Sequence, residues 1–108
     1  MSRRKRALRV CFSKVLPAIR EGLERAVSDP QGTAYATVRL ATIGVAGKTG
    51  TAETGGGRAA HAWFAGYVPS EAPKLAFVVV LEHTGDAAAT AGPLAKRLVL
   101  RMNELGML

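Results

Sequence analysis

The spacing of apolar residues divides the chain into five stretches. Leu16, Ile19, Leu23, Ala26 and Val27 recur at helical spacing and fall on one face. Glu21 and Arg25 pair at i,i+4 on another face. Ser13 is suited to cap this helix, with Pro17 tolerated in its first turn. Ser28-Asp29-Pro30 stops it, because a proline disfavours helix in the residue before it. Residues 31–44 read as connecting chain with Gly32 and Gly44. The pattern then turns to strand, from Val45 to about Glu53. Thr54-Gly55-Gly56-Gly57 is a turn, since three successive glycines extend neither strand nor helix well. His61–Val68 is a second strand, Pro69–Pro73 a turn, and Lys74–Glu82 a third strand. A loop at Thr84–Thr90 leads to a last helix opened by Gly92 and Pro93. Its apolar face is Leu94, Leu98, Met102 and Leu105, and Gly106 suits its C-terminal cap.

Short connections between three successive strands predict an antiparallel meander. The expected fold class is therefore α+β: a three-stranded antiparallel meander with a C-terminal helix on one face and one N-terminal helix. Every position from Leu75 to Leu81 is apolar, which predicts burial on both faces of that strand. One further helix is too little to cover the remainder, so part of the core is expected to be missing from this chain.

Length and composition narrow the class. At 108 residues, with 48% hydrophobic and 21% charged residues, the chain is globular and holds at most one small domain. Its longest strongly apolar stretch, Leu75–Leu81, is far short of the roughly 20 residues a membrane span needs. The single cysteine, Cys11, forms no internal disulfide and reads as a small core residue. With only His61 and His83 besides, no metal site is expected, and no cofactor.

The net charge is +7. Arg3, Arg4, Lys5, Arg6 and Arg9 supply five of the fifteen basic residues, leaving ten against eight acidic ones, or +2. Basicity thus belongs to a tail, residues 1–12, which can include a short strand at 7–12; residues 13–108 form the folded part. A basic tail can bind nucleic acid or an anionic surface. No aromatic residues interleave with these charges and no nucleic-acid motif follows, so a solvated tail and no nucleic-acid partner are expected. Arg9 and Lys14 interrupt the apolar run Ala7–Phe12, so no export signal is expected as written.

The distinctive chemistry lies in Val45-Ala-Gly-Lys48-Thr49-Gly50-Thr51-Ala52-Glu53. Gly47-Lys48-Thr49 matches the tail of a phosphate-binding loop. That motif needs glycine at position 42, where Thr42 stands, and a helix after the lysine, where a glycine turn stands. The phosphate-loop reading fails on both counts. Lys48-Thr49-Gly50-Thr51 on a strand, followed by a turn and another strand, instead resembles the third active-site motif of penicillin-binding transpeptidases and serine β-lactamases. The resemblance extends to Leu16–Val27 with Gly32-Thr33-Ala34, to His61-Ala-Trp63-Phe64-Ala-Gly66-Tyr67-Val-Pro69, to Lys74–Glu82 and to Gly92–Met102. It covers residues 13–106 and is nearest to the C-terminal part of the transpeptidase domain of class B penicillin-binding proteins.

The resemblance implies a substrate- or β-lactam-binding strand made of Lys48, Thr49, Gly50 and Thr51. A peptidoglycan stem peptide or β-lactam would lie against it as an added strand. Gly50 would let the ligand backbone approach. Lys48 would supply positive potential and help activate a serine. The hydroxyls of Thr49 and Thr51 would reach the ligand carboxylate, and the Thr51 N–H would serve an oxyanion hole. The family's S-x-x-K and S-x-N motifs have no convincing counterpart. Ser2-Arg3-Arg4-Lys5 matches the first only formally, and no serine is followed two residues later by asparagine. No catalytic residue is therefore assigned.

The function expected is a piece of a peptidoglycan D,D-transpeptidase, inactive alone, whose partner is the missing N-terminal part of the domain. The alternative is a non-catalytic module that holds a peptide or partner chain on the same strand edge. The family acts at the outer face of the cytoplasmic membrane, but nothing in this chain takes it there. Trp63, Phe64 and Tyr67 read as core and strand-pair residues rather than a carbohydrate platform. His61 reads as structural, and Glu53 and Glu82 do not form a catalytic carboxylate pair.

Overall fold

A computed structural model describes the backbone of residues 3–108, with side chains from Val15 onward. Its elements are α1 (Arg3–Ser28), α2 (Tyr35–Val38), β1 (Ala46–Ala52), β2 (His61–Val68), β3 (Leu75–Leu81) and α3 (Ala87–Glu104). The sheet is an antiparallel meander in the order β1-β2-β3. The α+β expectation holds, and β2 has the predicted bounds. Gly55, Gly56 and Gly57 turn the chain between β1 and β2 with φ of 72°, 63° and 73°, a region open to glycine at little cost.

The N-terminal reading needs correction. The helix does not begin at Ser13, and no strand forms at residues 7–12; α1 runs through both from Arg3. Residues 3–12 contain neither Gly nor Pro and are rich in Arg, Lys, Ala and Leu, which lose little side-chain freedom in a helix. Pro17 consequently lies well inside α1 rather than in its first turn. The side chains of Cys11 and Ser13 lie outside the described residues. The connecting chain also contains a one-turn helix, α2, that periodicity is too short to reveal.

The last helix begins at Ala87, five residues before the predicted opening at Gly92. Asp86 caps it by accepting the Ala88 N–H at 3.0 Å. Gly92 is instead a contact point: a Cβ there would collide with Thr37, so its absence lets α3 press against α2. The helix ends as expected, with Gly106 at φ 72°. Met107 N–H bonds to Met102 C=O at 3.0 Å and Gly106 N–H to Asn103 C=O at 3.1 Å, the pattern of a Schellman cap.

The core lies between α3 and one face of the sheet. Ala62, Phe64, Val68 and Val79 pack there with Ala91, Ala95, Val99 and Met102 of α3, and Val27, Val38 and Val45 close one side. Phe64 is fully buried beside Phe77, ring centroids 5.8 Å apart. Its ring lies over Gly47 and Gly66, which face each other across β1 and β2. A Cβ on either glycine would overlap that ring, so the pair makes room for the largest core side chain.

β3 is not buried on both faces. Phe77 and Val79 point to the core, while Val78 and Val80 are 61% and 58% exposed. The continuous apolar run suits a strand with cover on both sides, and this chain covers one. Likewise Leu16 and Ile19, on the predicted packing face of α1, are exposed, whereas Val27 near its end is buried.

Candidate functional site

β1 and β3 are the two edges of the sheet, and β1 carries Lys48, Thr49, Gly50 and Thr51. The register fixes their faces. Lys48 pairs with Ala65 and Gly50 with Trp63, and Trp63 and Ala65 pair in turn with Val80 and Val78. Paired residues share a face. Lys48 and Gly50 therefore belong to the face opposite α3, together with the exposed valines. Thr49 and Thr51 pair with Phe64 and Ala62 and belong to the α3 side. β1 has no hydrogen-bonded strand on its outer side, and α1 packs against it.

Lys48 is exposed, and its Nζ donates to the Thr49 carbonyl at 3.1 Å. No carboxylate forms an ion pair with it among the described residues. A lysine on an apolar open face, without a counter-ion, is an available cation for an anionic group lying along the edge. Thr49 Oγ1 approaches Thr33 Oγ1 at 3.4 Å, longer than a good hydroxyl hydrogen bond. Thr33 was not a sequence candidate, and it brings the Gly32-Thr33-Ala34 segment to this strand. Thr51 is exposed.

Gly50 has a further reason to lack a side chain. The Trp63 indole lies across it, so that a Cβ would fall within the ring's van der Waals envelope. Trp63 thus belongs to the face opposite α3, on β2 beside Gly50, while Phe64 belongs to the core. Tyr67 is half-buried, and its Oη is enclosed without a hydrogen-bond partner among the described residues.

His61 and His83 come together at the end of the hairpin, 22 residues apart in sequence. The His83 backbone N–H donates to His61 Nδ1 at 3.0 Å, and the ring centroids are 4.4 Å apart. His83 Nδ1 lies 2.8 Å from the Ala59 carbonyl.

The serines among the described side chains are Ser28, at the end of α1, and Ser70. Ser70 donates to Glu71 and its backbone is held at Gly44. Gly44 lies four residues before Lys48, which is roughly 13 Å of extended chain. Neither serine is placed as a nucleophile for Lys48. No group of three His, Cys, Asp or Glu side chains suited to a metal occurs among the described residues.

Comparison with known proteins agrees with this architecture. The family described as "Penicillin binding protein transpeptidase domain" matches residues 5–100. The chain is 33% identical to the peptidoglycan D,D-transpeptidase MrdA of Haemophilus influenzae over 96 residues, covering 76% of this chain and 15% of MrdA. Its fold superimposes on the penicillin-binding protein PBP2 of Helicobacter pylori, solved in complex with MreC, with a TM-score of 0.80. Identity there is 35%, over 88% of this chain and 18% of that one. Penicillin-binding protein A of M. tuberculosis, solved as an imipenem acyl-enzyme complex, gives a TM-score of 0.62 at 30% identity, covering 81% and 19%. The family match and the superposition place this three-stranded meander and its C-terminal helix within a transpeptidase domain. The chain belongs to the penicillin-binding protein transpeptidase family and corresponds to part of a class B transpeptidase domain. It spans about 15% of MrdA and under a fifth of these two structures.

Proposed function

We propose that this chain supplies one wall of the active site of a peptidoglycan D,D-transpeptidase. In this reading Lys48, Thr49, Gly50 and Thr51 bind the stem peptide or a β-lactam along the outer edge of β1. The reacting serine and its lysine come from outside residues 13–108. The observation that carries the reading is the placement of an exposed Lys48, with no ion-pair partner among the described residues, on the edge strand β1. An extended peptide adding to that edge gains main-chain hydrogen bonds, and the ammonium attracts its carboxylate. The Thr51 N–H would then serve as one oxyanion donor. Removing such a donor typically costs about 2.7–4 kcal/mol of transition-state stabilisation.

On this account the isolated chain forms no covalent adduct with a fluorescent penicillin. Benzylpenicillin should still perturb the amide resonances of Lys48–Thr51, at about millimolar concentration. The free edge of β1 equally favours a non-catalytic module that captures an extended peptide. That reading predicts micromolar binding of an unstructured peptide and no response to the β-lactam. Stoichiometric covalent labelling of the isolated chain would overturn both readings.

A further inference from the structure

The segment from Thr54 to Ala60 has a permissive backbone, with three consecutive glycines at positive φ. It leaves the strand that carries the proposed ligand-binding residues only three positions after Thr51. Its return into β2 is held at one place by four hydrogen-bond contacts. Ala60 C=O accepts the Gly85 N–H at 3.0 Å. Ala59 C=O lies 2.8 Å from His83 Nδ1, with Thr54 Oγ1 on the same carbonyl at 3.5 Å. His61 Nδ1 accepts the His83 N–H at 3.0 Å. His61 itself sits opposite Ala52, the residue after Thr51, in the β1–β2 register.

We propose that His61 and His83 form a tautomer-locked clamp that positions the Thr51 end of the site strand. The functional part rests on the assignment of Thr51 above; the clamp itself does not. Hydrogen-bond polarity fixes both rings. His61 Nδ1 accepts a backbone N–H, so it carries no proton and the ring proton is on Nε2. A carbonyl only accepts, so His83 carries its proton on Nδ1. The two imidazoles are held in opposite tautomers. His83 also adopts φ 53°, a left-handed conformation uncommon for residues other than Gly, Asn and Asp but one in which His is enriched. The geometry turns its backbone N–H toward His61 and its ring toward Ala59. The clamp thereby joins three places distant in sequence: the end of β1, the start of β2, and the turn that leads from β3 to the Asp86 cap of α3.

The test uses the full chain with 15N-labelled histidine and three variants. Imidazole nitrogen shifts should show Nε2–H for His61 and Nδ1–H for His83. In His61→Leu, exchange of the His83 and Gly85 amides should accelerate at least tenfold. The Thr51 amide order parameter should fall from about 0.85 toward 0.6, the change from rigid to flexible backbone. His61→Asn places a carbonyl oxygen where Nδ1 stood and should restore both readouts. His83→Asn, which tolerates the left-handed backbone and can donate to Ala59, should behave likewise. Three results would overturn the clamp: an Nε2–H tautomer at His83, an averaged tautomer mixture at both rings, or equal loss in His61→Asn and His61→Leu. None of these readouts requires a ligand, so failure of the β-lactam or peptide reading leaves the clamp standing and separately tested.

Discussion

The Trp63 indole lies across Gly50, its cross-strand partner, on the sheet face that also carries Lys48. Gly50 therefore accommodates a neighbour within the fold. Gly50→Ala should displace the indole and destabilise the chain by about 1–3 kcal/mol, the usual cost of overpacking. Tryptophan fluorescence and denaturant midpoints check this. In Gly50→Ala/Trp63→Ala the added methyl should cost less than in the parent background. Additive costs would show that the two residues do not touch.

Phe64 is the keystone of the covered face, fully buried over the Gly47–Gly66 pair. Phe64→Ala should cost about 3–5 kcal/mol, enough to abolish cooperative unfolding in a chain this small. Calorimetry should show the transition lost or broadened. A shift of only a few degrees would mean that the core lies elsewhere.

The two faces of β3 should respond oppositely to charge. Val78→Lys and Val80→Lys place an ammonium on the exposed face, and each should change stability by no more than about 0.5 kcal/mol. Val79→Lys buries the same charge beside α3 and should unfold the chain. The exposed face adjoins an edge strand with no charge or proline in it, a template for association. Light scattering should therefore show concentration-dependent self-association that Val78→Lys reduces.

Asp86 caps α3 by accepting the Ala88 N–H. Asp86→Ala should lower stability by about 1 kcal/mol, read as a shift of the urea midpoint, and Asp86→Ser should recover most of it. Equal loss in both variants would locate the effect outside the cap.

Much of this fold was legible from local signals. The triple-glycine turn and the aromatic run from Trp63 to Tyr67 fix the β1–β2 hairpin, and Gly106 fixes the end of α3. The strand that holds Lys48–Thr51 was legible, and the proposed site residues stand together in sequence. What escaped was non-local. The packing of Trp63 across Gly50 depends on cross-strand register, and the His61–His83 contact on a 22-residue separation. Gly92 reads locally as a helix start, yet it marks the approach of α2. The apolar run of β3 correctly signals a strand with two faces to cover. Whether both are covered depends on residues outside the strand, and in this chain Val78 and Val80 stay exposed.

The most direct test of the central claim is a chimaera in which residues 13–106 of this chain replace the matching segment of Haemophilus influenzae MrdA. The account predicts that the chimaera folds and is labelled by a fluorescent penicillin. Lys48→Ala within it should slow labelling by about a hundredfold, near 2.7 kcal/mol, while leaving thermal stability unchanged. A folded chimaera that takes no label, or one in which Lys48→Ala labels at the parent rate, would contradict the assignment of this strand to the active site.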